Sequence, residues 1–313
     1  MNQIKVLIYG AGAIGVFFGS RLIQAGHEVT FVDREERVQL ILDQGLKIVS
    51  KFDGDFEFTP RAISDPLEAG AQDLILIAVK AFHTYDIALK LLPILKPSTI
   101  VASLQNGLEN ERILADLLGQ NLVIGAVPSF SGSLQNETTL IQQAEAFLTY
   151  GEMDHQPSDR LEWLSGIFAH AGIKHKITDN ITFEIWLSFL WNNTFNLVSA
   201  LTRTTMGQIA GFEMIQQTLE QMMREVQQVA KAEGVNIPDQ LLEEIKERSV
   251  MLGPIKSNML KDLEAGQMPE LEPLAGTLLK KAMEHGVSIP VNQTVYNLMR
   301  LKMLNYPLHE EGE

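Results

Sequence analysis

The chain has 313 residues, 45% of them hydrophobic, and this length and apolar content favour two folded domains over a disordered chain. A formal net charge of −14 argues against a general nucleic-acid binder. The chain contains no cysteine, and its seven histidines are scattered without metal-ligand spacing, which excludes disulfides, thiolate catalysis and cysteine-ligated zinc and predicts no metal site.

The first 34 residues have the pattern of a strand, a tight turn, a helix and a second strand. An apolar run over residues 4–9 leads into Gly10-Ala11-Gly12-Ala13-Ile14-Gly15, and a second run over 29–32 ends at Asp33-Arg34. In this motif the first glycine makes the turn, the second lets the backbone approach a pyrophosphate, and the third lets the helix pack closely. The motif residues, Asp33 and Arg34 are therefore predicted to bind a dinucleotide, with its phosphates at the helix N-terminus.

Three more apolar runs, over residues 74–79, 100–104 and 122–127, predict strands that are separated by helices over 84–92 and 109–118. This alternation predicts a Rossmann-type, doubly wound parallel sheet. Short extended pieces over 139–141 and 146–150, followed by a helix over 159–171, complete the predicted first domain.

After residue 177 the strand patterns end and helical patterns predominate, over 179–203, 214–233, 239–251 and 270–285. The predicted fold is therefore an α/β N-terminal domain over residues 1–178, which binds the dinucleotide, followed by a mostly α-helical domain over residues 179–313. No apolar run approaches the length of a membrane span and no secretory signal is visible, so we expect a cytoplasmic protein without membrane contact.

Two polar residues follow predicted strands directly. Ligands of open α/β sheets bind beyond the carboxyl ends of the strands, which is where Lys80 and Asn106 lie. Lys80 could bring an ammonium group to a carboxylate or a nicotinamide, although a solvated lysine is the better local interpretation. At Asn106-Gly107 a simple turn is an equally good interpretation.

A polar stripe runs along the predicted helix over residues 179–203. Glu184, Ser188, Asn192 and Asn196 follow one another at i, i+4 spacing in an otherwise apolar segment. Unpaired buried amides are costly, so the stripe must meet solvent, a ligand or other helices, and a ligand site and an interhelical hydrogen-bond seam both remain open. Glu270 begins another predicted helix, where a carboxylate commonly offsets the helix dipole.

Several separated motifs occur in order along the chain. They are the glycine motif at 10–15, Val79-Lys80-Ala81, Gln105-Asn106-Gly107, the helix from Ile185-Trp186 to Asn192 and Asn196, and residues 259–266 leading into Glu270. In order and spacing they resemble the ketopantoate reductase, or 2-dehydropantoate 2-reductase, family over essentially the whole chain.

This resemblance implies NADPH-dependent hydride transfer to the ketone of 2-dehydropantoate, a small 2-oxo acid, to give pantoate for pantothenate and coenzyme A synthesis. It implies a helical domain that binds substrate, in which Glu270 binds a hydroxyl group or orients the reacting centre. Lys80 and Asn106 would lie near the cofactor and the reaction centre. The substrate would be contacted by Asn106, Asn192, Asn196 and Asn258.

The chain departs from the family pattern at three positions. Ser188 stands where the family pattern Trp-x-Lys-x-x-x-Asn has its catalytic lysine, Asn258 stands where a serine is usual, and Met206 lies near a frequent asparagine. Loss of a general acid typically costs about 10²–10⁴-fold in rate. Three interpretations follow: a 2-dehydropantoate reductase with another cation in that role, a reductase of a different 2-oxo acid, or a weakly active or non-catalytic dinucleotide-binding relative. Lys261, four residues beyond Ser257 on a predicted helix, could be that cation, although an exposed lysine is the better local interpretation.

The coenzyme preference rests on two adjacent residues with opposite implications. Asp33 could accept hydrogen bonds from the free 2′-hydroxyl of NAD, whereas Arg34 could pair with the 2′-phosphate of NADP. Arg34 occupies the family's usual arginine position, so the resemblance favours NADP, with NAD as the alternative. The helical domain also offers surfaces for a homodimer.

Overall fold

The computed structural model describes residues 2–251 and 253–304, which form two compact units. The first unit contains the residues up to Gln105 together with Asn110–Glu184. The second contains Asn106–Glu109 and the residues from Ile185 onward. The short segment Asn106–Glu109 therefore belongs to the second unit, although both of its neighbours along the chain belong to the first.

The main sheet of the first unit confirms the predicted doubly wound arrangement. In chain order, the strands are β1 (Lys5–Tyr9), β2 (Glu28–Val32), β3 (Leu46–Val49), β4 (Phe56–Phe58), β5 (Arg61–Ile63), β6 (Leu74–Ile77), β7 (Ile100–Ser103), β8 (Val123–Ser129), β9 (Gly132–Leu134), β10 (Thr139–Gln142), β11 (Phe147–Glu152) and β12 (His175–Ile177). The main sheet has the order β12-β11-β8-β7-β6-β1-β2-β5. Neighbouring strands in it are parallel, except that β8 and β11 are antiparallel. The strand order reverses beside β1, where dinucleotides bind in such sheets.

A second, four-stranded sheet has the order β4-β3-β10-β9. Its central strands, β3 and β10, are parallel, and both outer pairs are antiparallel. The sequence patterns predicted β10 as a short extended piece but did not predict β3, β4 or β9, which are three or four residues long. This sheet matters for the site because the loop between β9 and β10 contains Glu137.

Helices cover both faces of the main sheet, so its strands are apolar on both sides. These helices are α1 (Ala13–Gln24), α2 (Glu35–Gln44), α3 (Thr84–Leu91), α4 (Asn110–Leu118) and α5 (Asp159–His170). In β1, Val6 and Ile8 belong to one hydrophobic core, while Leu7 and Tyr9 belong to the core on the opposite face. The alternation of side chains along a strand explains why consecutive residues are all buried.

The second unit is helical, as predicted. Its helical segments are α6 (Ile181–Trp191), which begins in the first unit, a π-helical turn over Asn192–Asn196, α7 (Leu197–Thr202), α8 (Met206–Gly211), α9 (Glu213–Ala232), α10 (Asp239–Met251), α11 (Asn258–Glu264), a second π-helical turn over Glu272–Gly276, α12 (Thr277–His285) and α13 (Pro290–Leu304). The prediction that Glu270 begins a helix was wrong by one residue, since helical structure starts at Leu271. None of the described helices is long and apolar enough to cross a membrane.

Candidate active site

The glycine-rich turn between β1 and α1 has the geometry of a phosphate cradle. Gly10 has a φ of 105°, which strongly favours glycine, and its N–H donates to the Val32 carbonyl at 2.8 Å. A Cβ atom on Gly15 would lie 1.9 Å from the Gly10 oxygen, whereas one on Gly12 would meet no protein atom closer than 3.9 Å. No side chain caps the α1 N-terminus at Gly12. The open space at Gly12 therefore fits an anionic pyrophosphate.

The different surroundings of these two glycines predict different effects of alanine. We expect Gly12→Ala to keep the wild-type melting temperature and to weaken pyridine-nucleotide binding by about 10- to 100-fold, the equivalent of a modest steric overlap. We expect Gly15→Ala to lower the melting temperature, because its Cβ would overlap the backbone of Gly10. Calorimetric titration and thermal unfolding of both variants separate the two effects. Unchanged binding by Gly12→Ala would contradict the assignment of the cradle.

Asp33 connects the end of β2 to this turn. Its Oδ2 accepts a hydrogen bond from the Ala11 N–H at 2.7 Å, and its Oδ1 accepts one from the Arg34 N–H at 2.8 Å. The Arg34 side chain is exposed at the start of α2, and Arg37 donates from Nη2 to the Ala11 carbonyl at 3.0 Å. Ala13 begins α1, and Ile14 packs against the core. Asp33 therefore contacts the glycine turn directly, and Arg34 is the next residue along the chain.

Lys80 lies beyond the carboxyl end of β6 and is half-buried. Its backbone carbonyl accepts a hydrogen bond at 3.2 Å from Nε2 of Gln105, which follows β7. Gln105 Oε1 in turn accepts from the Ser103 hydroxyl at 3.0 Å. The loops after these two neighbouring strands are thus tied together, which fixes the backbone that carries the Lys80 side chain.

In the second unit, five of the predicted site residues form one hydrogen-bonded group, which we call the amide cluster: Asn106, Ser188, Asn192, Asn196 and Glu270. Asn192 Nδ2 is within hydrogen-bond distance of the Ser188 carbonyl (3.0 Å), the Ser188 hydroxyl (3.3 Å) and Asn106 Oδ1 (3.2 Å). Asn196 donates to Asn192 Oδ1 at 2.9 Å, and Asn106 donates to Glu270 Oε2 at 3.4 Å. One amide group has two hydrogens for these three acceptors, so an incoming ligand can replace one of them.

Part of the amide cluster is buried. Asn196 and Glu270 have 4% and 7% of their surface exposed. Trp191 and Phe195, which precede Asn192 and Asn196 along the chain, stack with their ring centroids 4.4 Å apart. Ser188, Asn192 and Asn106 are half-buried. Because a low dielectric strengthens hydrogen bonds, such a cluster can orient hydroxyl, ketone and carboxylate groups. The Ser188 hydroxyl is uncharged, whereas the family pattern has a lysine at this position.

The π-helical turn over Asn192–Asn196 divides its side chains between two hydrogen-bond networks. Asn193 faces a second buried network, in which it donates to Asn292 Oδ1 at 2.8 Å. Asn292 donates to Glu225, and the Glu225 carboxylate also accepts the backbone N–H groups of Val291 and Asn292. The sequence patterns did not predict this network. Its only trace in the sequence is polar residues within apolar helical patterns, and π turns often mark functional sites.

The remaining residues singled out from the sequence lie on other helices of the second unit. Asn258 is exposed as the first residue of α11, and the preceding Ser257 caps that helix by accepting the Leu260 N–H at 3.0 Å. Lys261 is half-buried on α11, and burial lowers the pKa of its ammonium group. Met206 is buried at the start of α8. Helix α11 packs against α7 and the π turn that contributes Asn192 and Asn196.

Comparison with known proteins shows the family. Residues 6–155 match the family model described as ketopantoate reductase PanE/ApbA, and residues 180–303 match the model of its C-terminal region. The chain belongs to the ketopantoate reductase family. It is an oxidoreductase of the 2-dehydropantoate 2-reductase type that depends on a pyridine nucleotide.

The similarity extends over nearly the whole chain. The 2-dehydropantoate 2-reductase of Archaeoglobus fulgidus is 29% identical over 96% of this chain and 98% of its own length. A crystal structure of a PanE/ApbA family ketopantoate reductase from Ralstonia eutropha has a TM-score of 0.88 and 32% identity over 95% of this chain and 98% of that one. A D-mandelate dehydrogenase solved with NADH and anilino(oxo)acetate has a TM-score of 0.89 and covers 96% of this chain and 98% of its own, but its 20% identity shows a shared fold alone.

Proposed function

We propose that the protein reduces the ketone of 2-dehydropantoate to the hydroxyl group of pantoate, with NADPH as the reductant. The observation that carries this proposal is the amide cluster, which combines neutral donors with a buried carboxylate at the positions of the family motifs. The Archaeoglobus fulgidus relative, which is named 2-dehydropantoate 2-reductase, is similar to this chain over 96% of its length.

The pyridine nucleotide, when bound, supplies the hydride. The glycine turn and the α1 N-terminus bind its pyrophosphate, and Lys80 lies at the carboxyl end of the sheet, where it meets the nucleotide or the substrate. Asn106, Asn192 and Asn196 orient the substrate's oxygen atoms through their amide groups. Glu270 accepts a hydrogen bond from a substrate hydroxyl, and exposed Asn258 contributes at the substrate's periphery.

Reduction also requires a proton on the oxygen of the former ketone. Ser188 Oγ lies within hydrogen-bond distance of Asn192, so its own hydrogen can be directed to that oxygen, but a neutral hydroxyl is a weak acid. Lys261 is the replacement we favour, because it is half-buried on a helix that packs against the π turn and because burial lowers its pKa. A lowered pKa makes an ammonium group a better proton donor near neutral pH.

The direct test follows nicotinamide absorbance with purified protein, 2-dehydropantoate and either NADPH or NADH. A panel of branched and aromatic 2-oxo acids serves as the comparison. We expect the highest kcat/KM with 2-dehydropantoate. A substantially higher value for another acid would contradict the substrate assignment and leave the reductase assignment intact.

A different 2-oxo acid is the second candidate substrate, and the observation that favours it is Ser188. Loss of the lysine charge, together with the buried Met206, changes the set of groups available to a substrate. The branched and aromatic members of the panel discriminate between the two candidates.

Coenzyme preference gives a separate prediction at Arg34. We expect Arg34→Ala to raise the KM for NADPH by about tenfold and to leave the KM for NADH nearly unchanged, because only NADPH has a 2′-phosphate for the guanidinium. Steady-state kinetics with both coenzymes measures the difference, and Arg61→Ala on β5 is a matched exposed-arginine control. Equal changes for the two coenzymes would contradict the role of Arg34.

A further inference from the structure

A buried arginine lies beside the glycine turn, and the sequence motifs did not predict a role for it. Arg37, in the first turn of α2, is only 7% exposed. Its Nη2 donates to the Ala11 carbonyl, whereas its buried Nη1 makes no hydrogen bond and lies 3.5 Å from Glu137 Oε2. Burying a cation with one of its donors unused is unfavourable unless another group completes the site.

The position of Arg37 indicates which part of a bound nucleotide would pair with its guanidinium. In dinucleotide-binding folds the acidic residue that ends the second strand meets the ribose 2′-oxygen, and Asp33 has that position here. Burial lowers the pKa of Arg37, while the nearby Asp33 and Glu137 carboxylates oppose that effect. Arg37 is thus close to Asp33 and to the turn at once, and a guanidinium can bind a phosphate with two parallel hydrogen bonds.

Glu137 is a competitor for the same guanidinium. It lies in the loop between β9 and β10, and its side chain is 72% exposed. An ion pair with one exposed partner contributes little stability, so a phosphate dianion can displace it. A negative side chain at this place nonetheless repels a 2′-phosphate, which partly offsets the attraction of Arg34 and Arg37.

We propose that Arg37 and Glu137 set the choice between NADPH and NADH, with Arg37 binding the 2′-phosphate and Glu137 competing with that phosphate for the guanidinium. The inference rests on the proposed nucleotide site at the glycine turn. It adds a second arginine to Arg34 and names a carboxylate, contributed by the smaller sheet, that lowers the preference for NADPH.

The test measures binding of two fragments, ADP-ribose and 2′-phospho-ADP-ribose, by calorimetric titration without any turnover. The variants are Glu137→Gln and Arg37→Gln, and the control is Glu57→Gln. Glu57 is a similarly exposed carboxylate in the same sheet, paired with Lys47 away from the glycine turn. Each protein's melting temperature is recorded alongside.

We expect Glu137→Gln to tighten 2′-phospho-ADP-ribose by about threefold to tenfold and to leave ADP-ribose within about twofold. Arg37→Gln should weaken the phosphorylated fragment by at least about tenfold. Because Arg37 also donates a hydrogen bond to the Ala11 carbonyl, Arg37→Gln can destabilise the glycine turn. In that case the result for Glu137→Gln tests the proposal. If Glu137→Gln affects both fragments equally or neither, the inference is wrong. Failure of the wild-type protein to bind either fragment would instead overturn the proposed function.

Discussion

Replacing Ser188 with lysine is expected to raise the turnover of 2-dehydropantoate by up to about 10²–10⁴-fold, the full contribution of a positioned general acid, and by less if Lys261 already donates the proton. The Ser188 side chain lies beside Asn192 in the amide cluster, so an ammonium group there would both stabilise the developing negative charge and donate a proton. The measurement is kcat with saturating NADPH. Ser188→Met is the matched control, because it adds comparable length without charge.

The same variant tests whether Lys261 has taken over the role of proton donor. If it has, Lys261→Ala lowers the turnover of the wild-type protein but has little effect in the Ser188→Lys background, where the proton has another source. If Lys261→Ala leaves wild-type turnover unchanged, the replacement hypothesis is wrong. A Ser188→Lys protein that folds normally without any gain in turnover would contradict the expected position of the reacting oxygen.

Replacing Glu270 with glutamine is expected to lower kcat/KM for the 2-oxo acid by about 10- to 100-fold, the value of a hydrogen bond to a charged group. Glu270 is a buried residue, where a charge is poorly screened, and its carboxylate accepts a hydrogen bond from Asn106. Glutamine keeps the shape and removes the charge. Steady-state kinetics at varied concentrations of the 2-oxo acid should show the lower kcat/KM. The Kd of the nucleotide should stay unchanged.

Glu272 provides the matched control for this change. It lies two residues further on, is exposed, and forms an ion pair with Arg300 at 2.6 Å and a hydrogen bond with Tyr296. Glu272→Gln should leave kcat/KM within about twofold, since exposed ion pairs contribute little. Similar losses in both variants would indicate a general effect on the helix that follows Pro269 and would contradict a specific role for Glu270.

The sequence by itself determined the doubly wound arrangement of the main sheet in the first unit and the position of its glycine turn. Alternating apolar runs and the spacing of Gly10, Gly12 and Gly15 are local patterns, and each is read from a few neighbouring residues. The i, i+4 spacing of Ser188, Asn192 and Asn196 was equally local. Their mutual hydrogen bonds confirm that they lie along one side of the helical stretch.

Only the tertiary structure decided which distant residues join the amide cluster and the residues around the glycine turn. Asn106 meets Glu270 across 164 positions of sequence. Arg37 meets Glu137, which lies in a loop of the second sheet, and three of the four strands of that sheet were not predicted from the sequence. The π turn at Asn192–Asn196 was not predicted either, because the i, i+4 spacing of the polar residues on both sides of it also fits an uninterrupted α-helix. Local periodicity reports which face of an element is buried, whereas partners across elements depend on chain topology and packing, which no short stretch of sequence contains.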